Sequence, residues 1–506
     1  MGRVVQASVL LYGHHGGKRS CRAGCWLCGL SVLLLPMFVA PRAYAQNDAL
    51  SAARLATIRD AALQSKYALR ETFILANQIG PRLPGSVQAA AAARQIADAM
   101  GTLDLKVQTI PAPVPQWQRG TADAAVVEYA GRPAGVEQPL DIAALGNSPA
   151  TPQAGITAPI LMVRSYDELQ ANAKQAAGRI VVFDVPFDRQ LAASGYATTA
   201  YERVAHYRMH GPAMAAQLGA VAALVRSSGG AHYRLVHTGM TVWDGVDHPI
   251  PAASVTGEDA DLLESLAVRG PVQIHLDLRP ISGPTVQEDT VVGDLPGIER
   301  PDEIVIVSGH YDSWDLGTGA QDNASGVAAA MGVAAVFHQL RLKPKRTVRI
   351  VAWANEENGL TGASAYRAAM ARSLDRHVGA IENDTGTGRP FGIAANITPE
   401  SAAQLAPVFE ALSTIDASFL VRSAQPVAAD IGLLTAAGVP GFAPLVDMSH
   451  YFDIHHTAAD TFDKVDSDNL RRQVAIQAVL AWWLANADPL PRLPATAADQ
   501  PPLSGE

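Results

Sequence analysis

Cysteine is missing from almost the whole chain. The three present, Cys21, Cys25 and Cys28, lie within the first 45 residues. Without that segment the chain has no disulfide and no thiolate, so any metal site must use His, Asp and Glu. Positive charge is also scarce. The first 45 residues hold Arg3, Lys18, Arg19, Arg22 and Arg42 and no acidic residue, and the remainder holds 34 basic against 48 acidic residues, a formal charge of −14. Such a balance disfavours nucleic acid as a partner and suits a soluble exported protein. Repeats and low-complexity tracts are absent. The 506 residues, 48% hydrophobic and 17% charged, have ordinary globular composition and a length that suggests two or three domains.

The basic N-terminus runs into an apolar stretch, 26–40, followed by Ala43-Tyr44-Ala45. This is the pattern of a signal peptide over 1–45, cut before Gln46. The apolar run is short for a membrane anchor and contains Pro36. Cys25 precedes it, which excludes a lipoprotein. The expectation is an exported protein, periplasmic or secreted, with no stable membrane association after cleavage.

Residues 49–100 are rich in Ala and Leu at helical spacing and predict two helices joined by the turn-rich 79–85. The strip 110–115, with Pro111, Pro113 and Pro115, reads as an extended boundary. From 116 to 285 short β-rich runs recur at 125–129, 159–163, 179–185, 222–225 and 272–278, with a helix over 211–219. From 284 strands alternate with helices, which implies βαβ units and a mostly parallel sheet. The predicted strands are 291–295, 304–307, 348–352 and 378–382. The predicted helices are 326–340, 360–372, 399–412 and 469–487. The domain reading is then a signal peptide (1–45), an N-terminal part of a catalytic domain (46–115), an inserted β-rich domain (116–285), the main catalytic domain (286–490) and a flexible tail (491–506).

The chemistry concentrates after 304. An apolar strand ends in a loop carrying His310, Asp312 and Asp322. Asn355-Glu356-Glu357 and Glu382-Asn383-Asp384 follow the next two strands. His455-His456-Thr457 lies near the C-terminus, with Asp460 close behind. Open α/β sheets bind ligands at the C-terminal ends of their strands, and three such clusters fall on one edge of one sheet. Two divalent ions close together need a shared carboxylate, further ligands for each and an open position for water. His310, Asp322, Glu357, Asp384 and His456 supply that set. Spacing alone leaves His455 and His456 both open as the ligand. Adjacent Glu356 and Glu357 suit a split role, one on metal and one on a proton. No metal constellation falls in 116–285. For a charged peptide terminus the loops near the predicted metals offer Asp315 and Arg389.

The motifs H-x-D (His310, Asp312), D-N-A-S-G (from Asp322), N-E-E-x-G (from Asn355), E-N-D (from Glu382) and H-T-x-x-D-T (from His456) resemble those of the M28 family of di-zinc exopeptidases. Residues 77–86 resemble the family's opening. Residues 178–183 and 219–225 resemble the sheet core of a protease-associated domain. His237-Thr238-Gly239-Met240 and 249–260 resemble the insert of one branch of the family. The resemblance covers nearly all of the chain after the leader. It implies an α/β zinc exopeptidase fold, a mostly parallel mixed sheet flanked by helices with a protease-associated-like insert. It implies two zinc ions, with Asp322 bridging, His310 and Asp384 on one ion, and Glu357 and His456 on the other. It implies Glu356 as general base for a metal-activated water, Asp312 as the carboxylate orienting the His310 ring, and Tyr451 where some relatives place an oxyanion-stabilising tyrosine. The bond after Asp322 is expected to be cis. The implied substrate is a peptide, a dipeptide or short peptide with free termini, and the implied assembly a homodimer. An aminopeptidase acting on longer peptides, a single-zinc glutaminyl cyclase and a non-catalytic binding module are the rival readings. The insert argues against the cyclase, and the complete ligand set against the binding module.

Overall fold

The computed structural model describes residues 49–495. The predicted signal peptide and residues 496–506 of the predicted tail lie outside the described residues. The start of that tail is held in place, because Arg492 donates to the carbonyls of His377 and Ala437.

Two eight-stranded sheets organise the chain. The strands of the first are β1 (Lys106–Gln118), β2 (Ile281–Leu295), β3 (Arg300–His310), β4 (Arg346–Trp353), β5 (His377–Glu382), β6 (Pro390–Asn396), β7 (Phe419–Arg422) and β8 (Gly441–Val446). They lie side by side in the order β1-β2-β4-β3-β5-β8-β6-β7. The central run β4-β3-β5-β8 is parallel, while β1-β2, β2-β4 and β8-β6 are antiparallel. This is the mixed, largely parallel α/β sheet that the sequence predicts.

β3 explains how the sheet is held. Ile304 to His310 are all buried, because the strand pairs on both edges and is covered on both faces. Its side chains alternate. Val305 and Val307 join the core under helices Ser325–Gln339 and Ser467–Asn486. Ile304 and Ile306 join the opposite core with Ala363 and Tyr366 of helix Thr361–Ala369. Each such side chain is worth roughly 1.5–3 kcal/mol of burial.

The proline strip is a strand, not only a boundary. β1 is an edge strand paired with β2 alone. Pro111, Pro113 and Pro115 share one parity, so their missing N–H groups all fall on the side with no partner. The predicted domain boundary at 115/116 therefore lies inside a continuous strand, and the β1/β2 ribbon carries the chain into the insert and back.

The insert forms the second sheet. Its order is Gln138–Leu140, Ala122–Glu128, Gln273–Leu278, Ile156–Val163, Ile180–Phe183, Ala222–Arg226, Ala252–Val255 and Ile142–Ala144. Three of these strands, 138–140, 142–144 and 252–255, are too short or too alanine-rich to read as strands from sequence. The predicted helix 211–219 is only the end of a helix spanning Ala197–Gln217. Gly211-Pro212 reads as a helix start, yet Gly211 lies inside because its missing Cβ leaves room for the Phe183 ring, 2.8 Å from where that atom would sit. Likewise 49–101 holds Ala52–Gln64, Tyr67–Phe73 and Val87–Gly101, with a break at Ser65–Lys66 where two helices were expected to suffice.

Candidate metal centre

β4, β3 and β5 are adjacent and parallel, so their C-terminal ends open onto one place. β3 ends on His310. The turn after β4 carries Glu356 and Glu357, and the residues after β5 carry Asp384. Asp322 arrives from the turn before helix Ser325–Gln339. Asp460 sets that turn, accepting the N–H of Gln321 at 2.7 Å and of Asp322 at 3.1 Å. The Asp322–Asn323 bond is cis, as expected. His456 has φ +58° and Asn355 φ +54°, left-handed conformations that non-glycine residues adopt rarely and that gather at functional sites.

Asp322 stands between two donor groups. Its Oδ1 lies 3.2 Å from His310 Nε2, which is also 3.2 Å from Asp384 Oδ1. Its Oδ2 lies 3.2 Å from His456 Nε2, which is 2.9 Å from Glu357 Oε2. In each group the ligand atoms lie within 4.8 Å of one another. His310, Asp322, Glu357 and His456 are buried, and Asp384 is partly so.

These residues fit divalent ions on four counts. Tetrahedral zinc with bonds of about 2.0–2.1 Å sets its ligand atoms about 3.3 Å apart, close to the separations here. His310 Nδ1 lies 3.2 Å from the Asp312 carbonyl and His456 Nδ1 lies 3.1 Å from that of Thr238. Both contacts put the proton on Nδ1 and leave Nε2 bare for a metal. Glu357 Oε1 is buried with no partner. The protonation pattern also shows a deficit of positive charge. Burial opposes ionisation of His310, but Asp384, Asp312 and Asp322 hold it well above the usual histidine range. Burial and Asp322 push the Glu357 carboxyl up to about 7.

The other predicted residues gather here as well. Glu356 is half-buried, and that burial holds its carboxyl well above the usual glutamate range. Asp312 accepts the N–H groups of Glu356 and Glu357, each at 3.1 Å. Its nearer carboxylate oxygen is 3.6 Å from His310 Nδ1, so the ring's hydrogen-bond partner is the Asp312 carbonyl instead. Tyr451 packs on Gly386, where an added Cβ would meet the ring at 2.9 Å. Burial and the charges of Asp322 and Asp384 hold its hydroxyl well above the usual tyrosine range, so it remains a neutral donor. His455 stacks on His456 with ring centroids 3.6 Å apart, and its Nε2 reaches Asp322 Oδ2 at 3.3 Å but has no contact with Glu357. That separates the two histidines which spacing leaves equivalent. Asp315 and Arg389 are already paired, Asp315 with buried Arg119 and Arg389 with exposed Asp416 at 3.5 Å.

Two contributors escape sequence reasoning. Arg82 is fully buried and donates to the carbonyls of Leu75, Gly80, Tyr311, Thr318 and Gly319, tying both ends of the 311–319 loop to the N-terminal segment. Burial lowers its pKa to about 10. His237, from the insert, lies 3.2 Å from His455. Burial, with neighbouring His456, keeps His237 and His455 well below the usual histidine range, and so neutral. Neither residue sits in a periodic or clustered pattern. The available signs were that Arg82 stands in a turn-rich loop within 77–86 and that His237 heads 237–240, both stretches that resemble the family.

The profile of Peptidase family M28 matches residues 290–481, the stretch that carries the five predicted metal ligands and Glu356. Carboxypeptidase Q of Mus musculus is 33% identical over 425 residues, covering 83% of this chain and 86% of that protein. An M28 peptidase precursor from Shewanella amazonensis SB2B superposes with a TM-score of 0.82 at 32% identity, over 89% of this chain and 99% of that one. A zinc aminopeptidase from Bacillus subtilis shares the fold, with a TM-score of 0.60 at 22% identity over 83% of this chain and 95% of its own. With that similarity running through the insert as well as the donor-bearing sheet, the chain belongs to peptidase family M28 and is a peptidase.

Proposed function

We propose that the chain is an exported exopeptidase that hydrolyses dipeptides and short peptides at a centre of two zinc ions. The observation that carries the reading is the placing of Asp322, one oxygen toward each donor group. His310, Asp384 and Asp322 Oδ1 would hold one ion, and Glu357, His456 and Asp322 Oδ2 the other. When bound, the ions would supply Lewis acidity to water and to the scissile carbonyl. Glu356, its backbone pinned by Asp312, takes a proton from the attacking water on its carboxylate and delivers it to the leaving amine. The Tyr451 hydroxyl donates to the carbonyl oxygen as negative charge grows there. Export is supported by the N-terminal leader pattern, and no helix among the described residues is long and apolar enough to cross a membrane.

The test compares an unblocked dipeptide with its N-acetylated and C-amidated forms on zinc-loaded protein. An exopeptidase loses kcat/KM on at least one blockage. Loss on acetylation alone marks an aminopeptidase, loss on amidation alone a carboxypeptidase, and loss on both a dipeptidase. Equal cleavage of all three would overturn the reading.

A further inference from the structure

Two consecutive residues of the insert, His237 and Thr238, reach the centre. Thr238 grips His456 twice. Its N–H donates to the His456 carbonyl at 2.9 Å, and its own carbonyl accepts His456 Nδ1–H at 3.1 Å. Thr238 is itself held, since its hydroxyl accepts from Arg119 Nη1 at 2.7 Å. His237 is fully buried, its N–H donates to Ser227 Oγ at 3.0 Å, and its Nε2 lies 3.2 Å from His455 Nδ1. His455 Nε2 in turn lies 3.3 Å from Asp322 Oδ2. A file of side chains thus runs from the insert to the carboxylate shared by the two donor groups.

The protons in this file are fixed by elementary rules. Two neutral imidazoles share one hydrogen bond only if one nitrogen carries hydrogen and the other is bare. Were His455 protonated on Nδ1, its bare Nε2 would face the Asp322 carboxylate, lone pair against lone pair. His237 would then carry hydrogen on Nδ1, a buried atom with no partner. The opposite arrangement removes both conflicts. His237 Nε2–H donates to His455 Nδ1, and His455 Nε2–H donates to Asp322 Oδ2. The one unmet atom is then a bare nitrogen, which is less costly to bury than an unmet N–H or an opposed carboxylate.

We propose that His237 is a positioning residue of the metal centre. By donating to His455 Nδ1, it locks His455 as an Nε2–H donor that orients the shared carboxylate Asp322. The insert is then a structural part of the centre and not only a cover over it. The effect on zinc affinity rests on the two-zinc centre proposed above, but neither it nor the proton arrangement rests on the exopeptidase activity.

The test uses the zinc-loaded full chain with 15N-labelled histidine and two variants. In the parent protein His455 should show the 15N pattern of an Nε2–H tautomer. His237→Phe removes the donor and should weaken the more loosely held zinc by about 10–100-fold in a competitive chelator titration. His237→Gln, whose amide N–H reaches the same place, should recover zinc affinity to within about threefold of the parent. An Nδ1–H tautomer in the parent would overturn the proposal. So would unchanged zinc affinity in His237→Phe, or a loss in His237→Gln as large as in His237→Phe, which would mark a packing role alone. A parent protein that binds zinc as expected but cleaves no dipeptide or short peptide would sink the exopeptidase reading and leave this inference standing.

Discussion

Asp312 holds Glu356 by its backbone: the aspartate Oδ1 accepts the Glu356 N–H at 3.1 Å, and Oδ2 accepts the neighbouring Glu357 N–H at the same distance. One carboxylate thereby fixes two adjacent glutamates with different outlooks. Glu357 faces His456, and Glu356 is left free to handle a proton.

That division gives the first prediction. Glu356→Gln should keep the fold and both zinc ions while kcat falls by about 10²–10⁴-fold, the usual contribution of a positioned acid–base group. Glu357→Gln should lose metal as well as activity. Metal analysis beside steady-state kinetics checks both, and near-normal turnover in Glu356→Gln would show that the proton moves elsewhere.

A second prediction concerns Arg82. Its fully buried guanidinium serves five backbone carbonyls, and lysine cannot reproduce that fork. Arg82→Lys should lower the unfolding free energy by about 3 kcal/mol or more, since several buried carbonyls lose their donor. Denaturant unfolding of the metal-free protein measures this without interference from zinc. A change below about 1 kcal/mol would mean that the loop holds its shape by other means.

The third is a pH dependence far from the centre. His377 is buried, accepts from the Tyr366 hydroxyl at 2.8 Å on Nε2 and donates from Nδ1 to the Ser373 carbonyl at 3.0 Å. Burial lowers its pKa from 6.5 to about 4. The unfolded chain therefore binds the extra proton more readily. The stabilisation is fully present above pH about 6.5 and is lost as pH falls toward 4. Between pH 7 and pH 5 the parent should lose about 2 kcal/mol more than His377→Gln. Parallel losses in the two proteins would contradict the assignment.

The legible and illegible parts of this molecule differ in kind. His310, Asp322, Glu357 and Asp384 were readable because hard-metal donors stood just past apolar runs, and parallel strands must bring such ends together. The central strand was readable because 304–307 is continuously β-branched. β6, β7 and β8 were not: Pro, Gly and Ala interrupt the apolar residues of 390–396 and 441–446, and β7 is only four residues long, so their strand character is visible only in their pairing. The roles of His237 and Arg82 were illegible for another reason, although both stand in stretches that resemble the family. Each is a single polar residue in a loop, and its role is set by partners far away in sequence. Spacing left His455 and His456 equivalent; the H-T-x-x-D-T resemblance favoured His456, and the Glu357 contact gives that choice a physical basis.

The central claim is that Asp322 serves two ions. Its most direct test is to strip the protein of metal and follow dipeptide hydrolysis as zinc is added back at protein concentrations well above the dissociation constants. The account predicts that activity rises until two equivalents per chain are bound and then levels off. Full activity at one equivalent, or hydrolysis indifferent to zinc, would contradict it.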